Sequence, residues 1–232
     1  MPTKDFVKKL HHEKTSSAII IACSGSKRSD NEICSLKNVS ALLNLKQTSI
    51  NFDNITTELL KSFRSCTEKE YSVAVKSSEN YPAFLRYKGL FYDAVWSHGK
   101  TQVWEKVIKE NWKVLILSAY YSFLKITDPV KKYNLQMSKL KAKCKRNLPQ
   151  ILQAIKNANN FKNIYFFASN TYTKPFKEKL GNIYQIRLFD YLKKGIYGRY
   201  ARKYYKEAGH LFASIISGEI CGSTRFVRLE VM

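Results

Sequence analysis

Apolar residues along this chain come in short runs, and most of the runs stop abruptly at polar or turn-forming residues. SSAIIIAC (16–23) is short, β-branched at its centre and followed by the turn-prone SGSKRSD, which predicts a fully buried strand. Lys113–Ser118 and NIYFFAS (163–169) predict two more, and IYQIRLF (183–189), alternating in period two, a fourth. TRFVRLEV near the end reads as a last strand at a sheet edge. YPAFLRYKGLFYDAVWSHG opens at a proline and carries apolar residues at helical spacing, broken at Gly89. Residues 37–75 show no clear period and predict short helices. Asp190 is placed to cap a helix over Leu192–Ala208 that Gly209 closes. Strands alternating with helical segments, without a repeat or a low-complexity linker, predict an α/β fold. The expected architecture is a single domain over 1–232, with a mixed, mostly parallel central sheet flanked by helices and a flexible segment over 1–15.

Hydrophobic residues make up 44% of the 232, which places the chain among globular proteins. Charge changes the picture more. Forty Lys and Arg against 18 Asp and Glu leave a formal +22. An excess of that size on a folded chain points to a polyanionic partner, since phosphate contacts release counterions; solvated surface lysines are the other source of such a number. No apolar run approaches the roughly 18 residues of a membrane span. The start, MPTKDFVKKLHHEK, lacks a hydrophobic signal region, and the expectation is an intracellular, cytoplasmic protein. Cys23, Cys34, Cys66, Cys144 and Cys221 are scattered and form no CxxC pair, which predicts reduced thiols and neither a disulfide framework nor a zinc site. His11, His12, His98 and His210 show no metal-ligand spacing, so neither metal nor cofactor is expected.

Two basic segments stand out. Lys131, Lys132, Lys139, Lys141, Lys143, Lys145 and Arg146 crowd together with no acid among them, so a bound anion would relieve their repulsion. Arg199, Arg202, Lys203 and Lys206 fall at i, i+3, i+4 and i+7 and share one helix face, with Tyr197, Tyr200 (or Ala201) and Tyr204 on the opposite stripe.

Three predicted strands also end in polar sequence: Cys23-Ser24-Gly25-Ser26-Lys27, Ser118-Ala119-Tyr120-Tyr121 and Ser169-Asn170-Thr171-Tyr172. Turns use Ser, Asn and Gly for their own geometry. Parallel strands, however, would bring all three ends to one crevice, where ligands of open α/β sheets bind. Lys27, after a glycine-containing turn, suits a phosphate anchor, or a nucleophile where desolvation lowers its pKa. Ser24-x-x-Lys27 matches the bare pattern of acyl enzymes. Cys23 beside it suits either an activated thiol or an inert buried cysteine. The spacing of a Walker loop is absent, which argues against a nucleoside triphosphatase.

Taken together the segments resemble the YaaA-like proteins of the peroxide-stress response. That family's Ser-Pro-Ala-Lys turn is similar to Ser24-Gly25-Ser26-Lys27, and its Ala-Phe-x-Gly-x-x-Tyr-like block to PAFLRYKGLFY, with Tyr87, Lys88, Gly89 and Tyr92 in register. The central block matches at Leu117, Ser118, Tyr121, Leu124, Asp128, Tyr133, Leu135 and Met137. FASNTY supplies Ala168, Ser169, Asn170 and Tyr172, and Lys194-Gly195-Ile196-Tyr197-Gly198-Arg199 resembles the family's Arg-Gly-x-x-x-Arg. Ser122 stands where the family usually has Gly, Lys132 where it has Pro, and Gln136 where it often has an acid. The resemblance implies a single α/β domain with a positively charged cleft, similar to proteins that bind DNA and limit oxidative damage. It also implies a helix-hairpin-helix-like element within 37–75, where this chain has no glycine.

The function these readings lead to is nucleic-acid binding, DNA before RNA, through backbone charge with little sequence specificity. The candidate contacts are Ser24, Ser26, Lys27, Lys88, Ser118, Lys125, Lys139, Lys141, Lys143, Lys145, Arg146, Ser169, Asn170, Lys194, Arg199, Arg202 and Lys203. The alternative is an enzyme acting on a nucleotide, nucleobase or nucleic acid, with Lys27 as nucleophile or phosphate anchor, Asp128 as acid or base and Tyr121 or Asn170 orienting. In either case Ser118, Tyr121 and Asp128 are expected to face Lys27, Ser169 and Asn170.

Overall fold

The computed structural model describes residues 1–71, 79–176, 182–188, 199–220, 222 and 225–232, without the side chains of 199–201. The β-branched run at the start becomes β1 (Ser17–Ala22), buried at every position. Before it lies α1 (Thr3–Glu13), and after it come α2 (Asp30–Cys34), α3 (Val39–Leu43) and α4 (Asn54–Tyr71). The middle of the chain forms β2 (Tyr81–Pro82), α5 (Ala83–Arg86), α6 (Leu90–Trp96), α7 (Gln102–Lys109), β3 (Val114–Ser118), β4 (Ser122–Lys125) and β5 (Pro129–Val130). Then follow α8 (Ala142–Lys145), α9 (Leu148–Ala158), β6 (Asn163–Phe167), α10 (Asn170–Thr173), β7 (Ile183–Leu188), α11 (Arg199–Ser217) and β8 (Val227–Val231).

Six strands make one sheet in the order β4-β3-β1-β6-β7-β8. The four strands legible in the sequence are its parallel centre: β1 pairs with β3 and β6, and β6 with β7. The near-continuous hydrophobic sequences of β1, β3 and β6 follow from burial on both faces, whereas β7 is half-buried at Tyr184 and Arg187. An antiparallel strand closes each edge, β4 beside β3 and β8 beside β7. The order reverses at β1, whose neighbours β3 and β6 lie on opposite sides of it. Buried side chains form one cluster running from Phe6 in α1 to Val227 in β8.

Several expectations are corrected. Residues 1–15 are not a loose segment: α1 buries Phe6, Val7 and Leu10, and Glu13 accepts hydrogen bonds from Ser17, Asn163 and Tyr165. Residues 37–71 hold a long helix, α4, as well as a short one. Its buried stripe is Thr56, Leu60, Phe63 and Thr67, and the two threonines hide the apolar period. No tight hairpin joins α3 to α4. Instead Gln47, in the connection, donates to Trp112 O and Val114 O and accepts from Ile126 N, clasping the start of β3 to the end of β4. Gly209 does not end a helix either. It lies inside α11, where a Cβ would sit 2.3 Å from Phe91 O, so glycine lets α11 pack directly on α6. Residues 189–198 lie outside the described residues, and with them the Asp190 cap.

The cysteine reading is corrected as well. Cys66 in α4 and Cys144 in α8 form a disulfide across a separation of 78 residues, with Cα atoms 5.9 Å apart. Distance along the chain hid a pair that the fold brings together. Cys23 and Cys34 are free thiols, and Cys221 lies outside the described residues.

β4 has no signature of its own because it is only four residues long and follows β3 after a three-residue turn. Ser122 ends that turn at φ 65°, the left-handed conformation in which a glycine is free of strain, and its buried hydroxyl finds no partner. Ser122→Gly should therefore stabilise the fold by about 1 kcal/mol, as relief of backbone strain and of the orphaned hydroxyl exceeds the entropy glycine adds to the unfolded chain; a lower urea midpoint for the variant would contradict this. Digestion without reductant should yield one peptide pair joining Cys66 to Cys144, and separate peptides would remove the cross-link.

Candidate functional site

Strand β1 ends at the sheet's reversal, and the loop that follows, Cys23 to Lys27, lies at the carboxyl ends of the parallel strands, the usual place for a ligand crevice. A crevice of about 330 Å3 opens there. Its walls are Ala22–Ser26, the start of α6 from Gly89 to Tyr92, Phe167 at the end of β6, and Tyr172 and Tyr205. Gly89 is required by close approach: at φ 112° a Cβ there would come within 2.8 Å of Ser24 Oγ.

Lys27 does not point into this space. Only 6% exposed, its ammonium turns back under the loop, donating to Ser24 O at 2.8 Å and Gly25 O at 3.5 Å. It lies 3.9 Å from the centre of the Tyr133 ring and 5.5 Å from that of Tyr87. No carboxylate touches it among the described residues. Burial lowers its pKa from 10.5 to about 8; Arg86 and Lys132 push the same way and Cys23 opposes them. The rings beneath are fixed in turn. Tyr133 shares hydrogen bonds of 2.9 Å with Tyr87 and with Ser118 Oγ, and Ser118 Oγ also accepts from the amides of Tyr120 and Tyr121. Burial holds the Tyr87 and Tyr133 phenols well above their ordinary pKa, hence neutral.

Arg86, fully buried, braces the same loop from the far side. It pairs with Asp30 at 2.8 Å and donates to Arg28 O, Val130 O and Glu79 O. Arg28 returns two bonds, to Leu85 O and Tyr87 O. The sequence reading missed Arg86, Tyr133, Tyr92 and Tyr205 as parts of the site. A lone arginine inside the apolar run PAFLRY was the available signal.

Not all the expected residues meet here. Ser24, Ser26 and Ser169 do: Ser24 Oγ accepts from Ser26 N, and Ser169 is hydrogen-bonded to the crevice-lining Tyr205. Asn170 is exposed nearby and accepts from Arg187. Lys88 stands beside the loop but is paired with Glu32 at 2.7 Å. Tyr121 is half-buried, its hydroxyl accepting from Lys131 N. Asp128 and Lys125 are taken elsewhere, because antiparallel β4 carries the chain from Ser122, opposite Ser118, to Lys125, opposite Leu115. Asp128 caps Lys125 N at 2.8 Å, its carboxyl raised by burial, and both line a separate hollow with Lys46, Gln47 and Asn51.

The basic run is not one helix face; it is broken into the segment after β5, a 3-10 turn (Met137–Lys139) and α8, with Arg146 at the C-cap of α8. Nor is it without an acid, since Glu70 of α4 pairs with Lys141 and Lys143, while Tyr71 OH donates to Lys139 O and accepts from Lys141 N. Lys139 and Arg146 are exposed and Lys145 is half-exposed. Arg202, Lys203 and Lys206 are exposed on α11, and Tyr204 on its other face donates to Ile186 O. Lys194, Tyr197 and the side chains of Arg199, Tyr200 and Ala201 lie outside the described residues.

A lysine whose pKa is lower in the folded state gives a defined pH signature. Between pH 8 and 10.5 the unfolded chain holds more protons at Lys27 than the native state, so stability gained from this residue rises with pH. The stability difference between wild type and Lys27→Met should grow across that window, by at most about 3 kcal/mol. A difference that stays flat from pH 7 to 10 would mean an ordinary, hydrated ammonium.

No individual curated relative matches the chain. The family model described as peroxide stress protein YaaA matches residues 17–220, from the first residue of β1 to beyond the end of α11. The chain therefore belongs to the YaaA family of peroxide stress proteins.

Proposed function

We propose that the protein serves the peroxide-stress response by binding nucleic acid, duplex DNA before RNA, through backbone charge and with little sequence specificity. The observation that carries this reading is the formal charge of +22. Part of it is the buried Lys27 ammonium, held behind the strand-end crevice with no carboxylate touching it among the described residues. On the surface, Lys139, Lys145, Arg146 and Arg202 are available to phosphates. The reading of Lys27 as a nucleophile has less support, because its amine faces two carbonyls and a tyrosine ring. Asp128 as its acid or base has less still, since it lies beyond the other end of β4.

The test is affinity for a random-sequence duplex across a salt series. Log affinity should fall steeply with log salt, and replacing Lys139, Lys145 and Arg146 with Ala should flatten the slope by about 1 for each phosphate no longer neutralised. Replacing Lys141 and Lys143, already paired with Glu70, should change the slope less. Absence of binding at low salt would refute the proposal.

A further inference from the structure

We propose that the strand-end crevice is a pocket for a single unstacked nucleotide, its base among the aromatic rings and its phosphate on the 24–26 loop. The proposal rests on the nucleic-acid reading and specifies what that reading leaves open, a built site for one residue of the strand.

The walls select a flat, π-rich group. Phe91, Tyr92, Phe167, Tyr172 and Tyr205 line the crevice, and the three phenols are already committed. Tyr92 OH donates to Ala22 O at 3.1 Å and Tyr172 OH to Cys23 O at 3.0 Å, while Tyr205 is hydrogen-bonded to Ser169. With their hydroxyls spent on the strand ends, the rings are fixed in place, and stacking on fixed rings is open to any base. About 330 Å3 lies within the range of small-ligand sites.

The loop supplies the anion side. Lys27 holds the carbonyls of Ser24 and Gly25 on its own side of the loop. The chain has no cis peptide among the described residues, so the amide of Gly25 points away from Lys27, while that of Ser26 is taken by Ser24 Oγ. Lys27 thus orients the Ser24–Gly25 peptide for an incoming anion at a loop that lines the crevice, and is a positioning residue. The Ser24 and Ser26 hydroxyls stand at the same loop. Gly25 itself leaves open space, with no atom within 4 Å of the place a Cβ would take and no positive φ to demand glycine.

Three probes test the proposal: a fully paired duplex, the same duplex with one 2-aminopurine opposite an abasic site, and free 2-aminopurine nucleoside monophosphate. Gly25→Leu and the exposed rim variant Ser26→Phe block the crevice, and unchanged melting temperatures establish that both fold. Wild type should prefer the duplex with the unpaired base by about tenfold or more. Both variants should lose that preference, and Gly25→Leu should keep the affinity for paired DNA. Equal affinity of wild type for the two duplexes overturns the pocket and leaves DNA binding standing. A preference that survives in both variants overturns the placement. If neither duplex binds, the nucleic-acid reading falls; monophosphate binding that Gly25→Leu abolishes then upholds the pocket for a free nucleotide, and no binding of any probe overturns both.

Discussion

An ammonium taken out of water needs other dipoles to replace its hydration, and the end of β1 is organised around that requirement at Lys27. Two carbonyls of its own loop and the face of Tyr133 surround the charge. Tyr133 stays in place because Tyr87 and Ser118 hold its hydroxyl, and Ser118 in turn fixes the amides that begin the turn after β3. On the other side Arg86 donates to Arg28 O, and Arg28 donates to the carbonyls of Leu85 and Tyr87 that flank Arg86. The buried cations Lys27 and Arg86 therefore link residues 24–30 and 85–87 with the turn at 118–121 and with Val130 and Tyr133. The shape of the crevice depends on those links rather than on any one wall.

The sheet decides which groups join it. Four parallel strands place their carboxyl ends together, so the polar sequences after β1, β3 and β6 converge. Antiparallel β4 does the reverse and removes Lys125 and Asp128 to the far end. The polar cluster after Leu117 is thus split by topology: Ser118, Tyr121 and Tyr133 stay near Lys27, and the acid leaves. Asp128 is therefore not placed to exchange a proton with Lys27.

Much of this was legible in the residues and some was not. Buried parallel strands announce themselves, since burial on both faces demands unbroken apolar runs such as Ala18–Ala22. Gly89 marked its break because both conformation and close approach require glycine. Elements short in length or mixed in composition left no trace: β4 is four residues, and α4 buries threonines in its stripe. Gly209 reads as a helix end by local rules, yet tertiary packing against Phe91 is what calls for it. Pairings between distant positions, Glu70 with Lys141 and Cys66 with Cys144, carry no local signal at all. Lys27 was found from its place after a glycine-containing turn, but the direction of its side chain depends on Tyr133, far along the chain.

The Cys66–Cys144 link has a mechanical side. It closes a covalent ring around α5, α6, α7, β3 and β4, while β1, β6, β7 and β8 remain outside. The centre of the sheet is therefore stitched from chain inside the ring and chain outside it. Pulled from its two ends, the oxidised chain would extend by about 270 Å less than its contour, the length of the 78-residue segment held in the ring. A load that peels every outer strand away would leave β3 and β4 still tethered to each other's neighbourhood, ready to template the return.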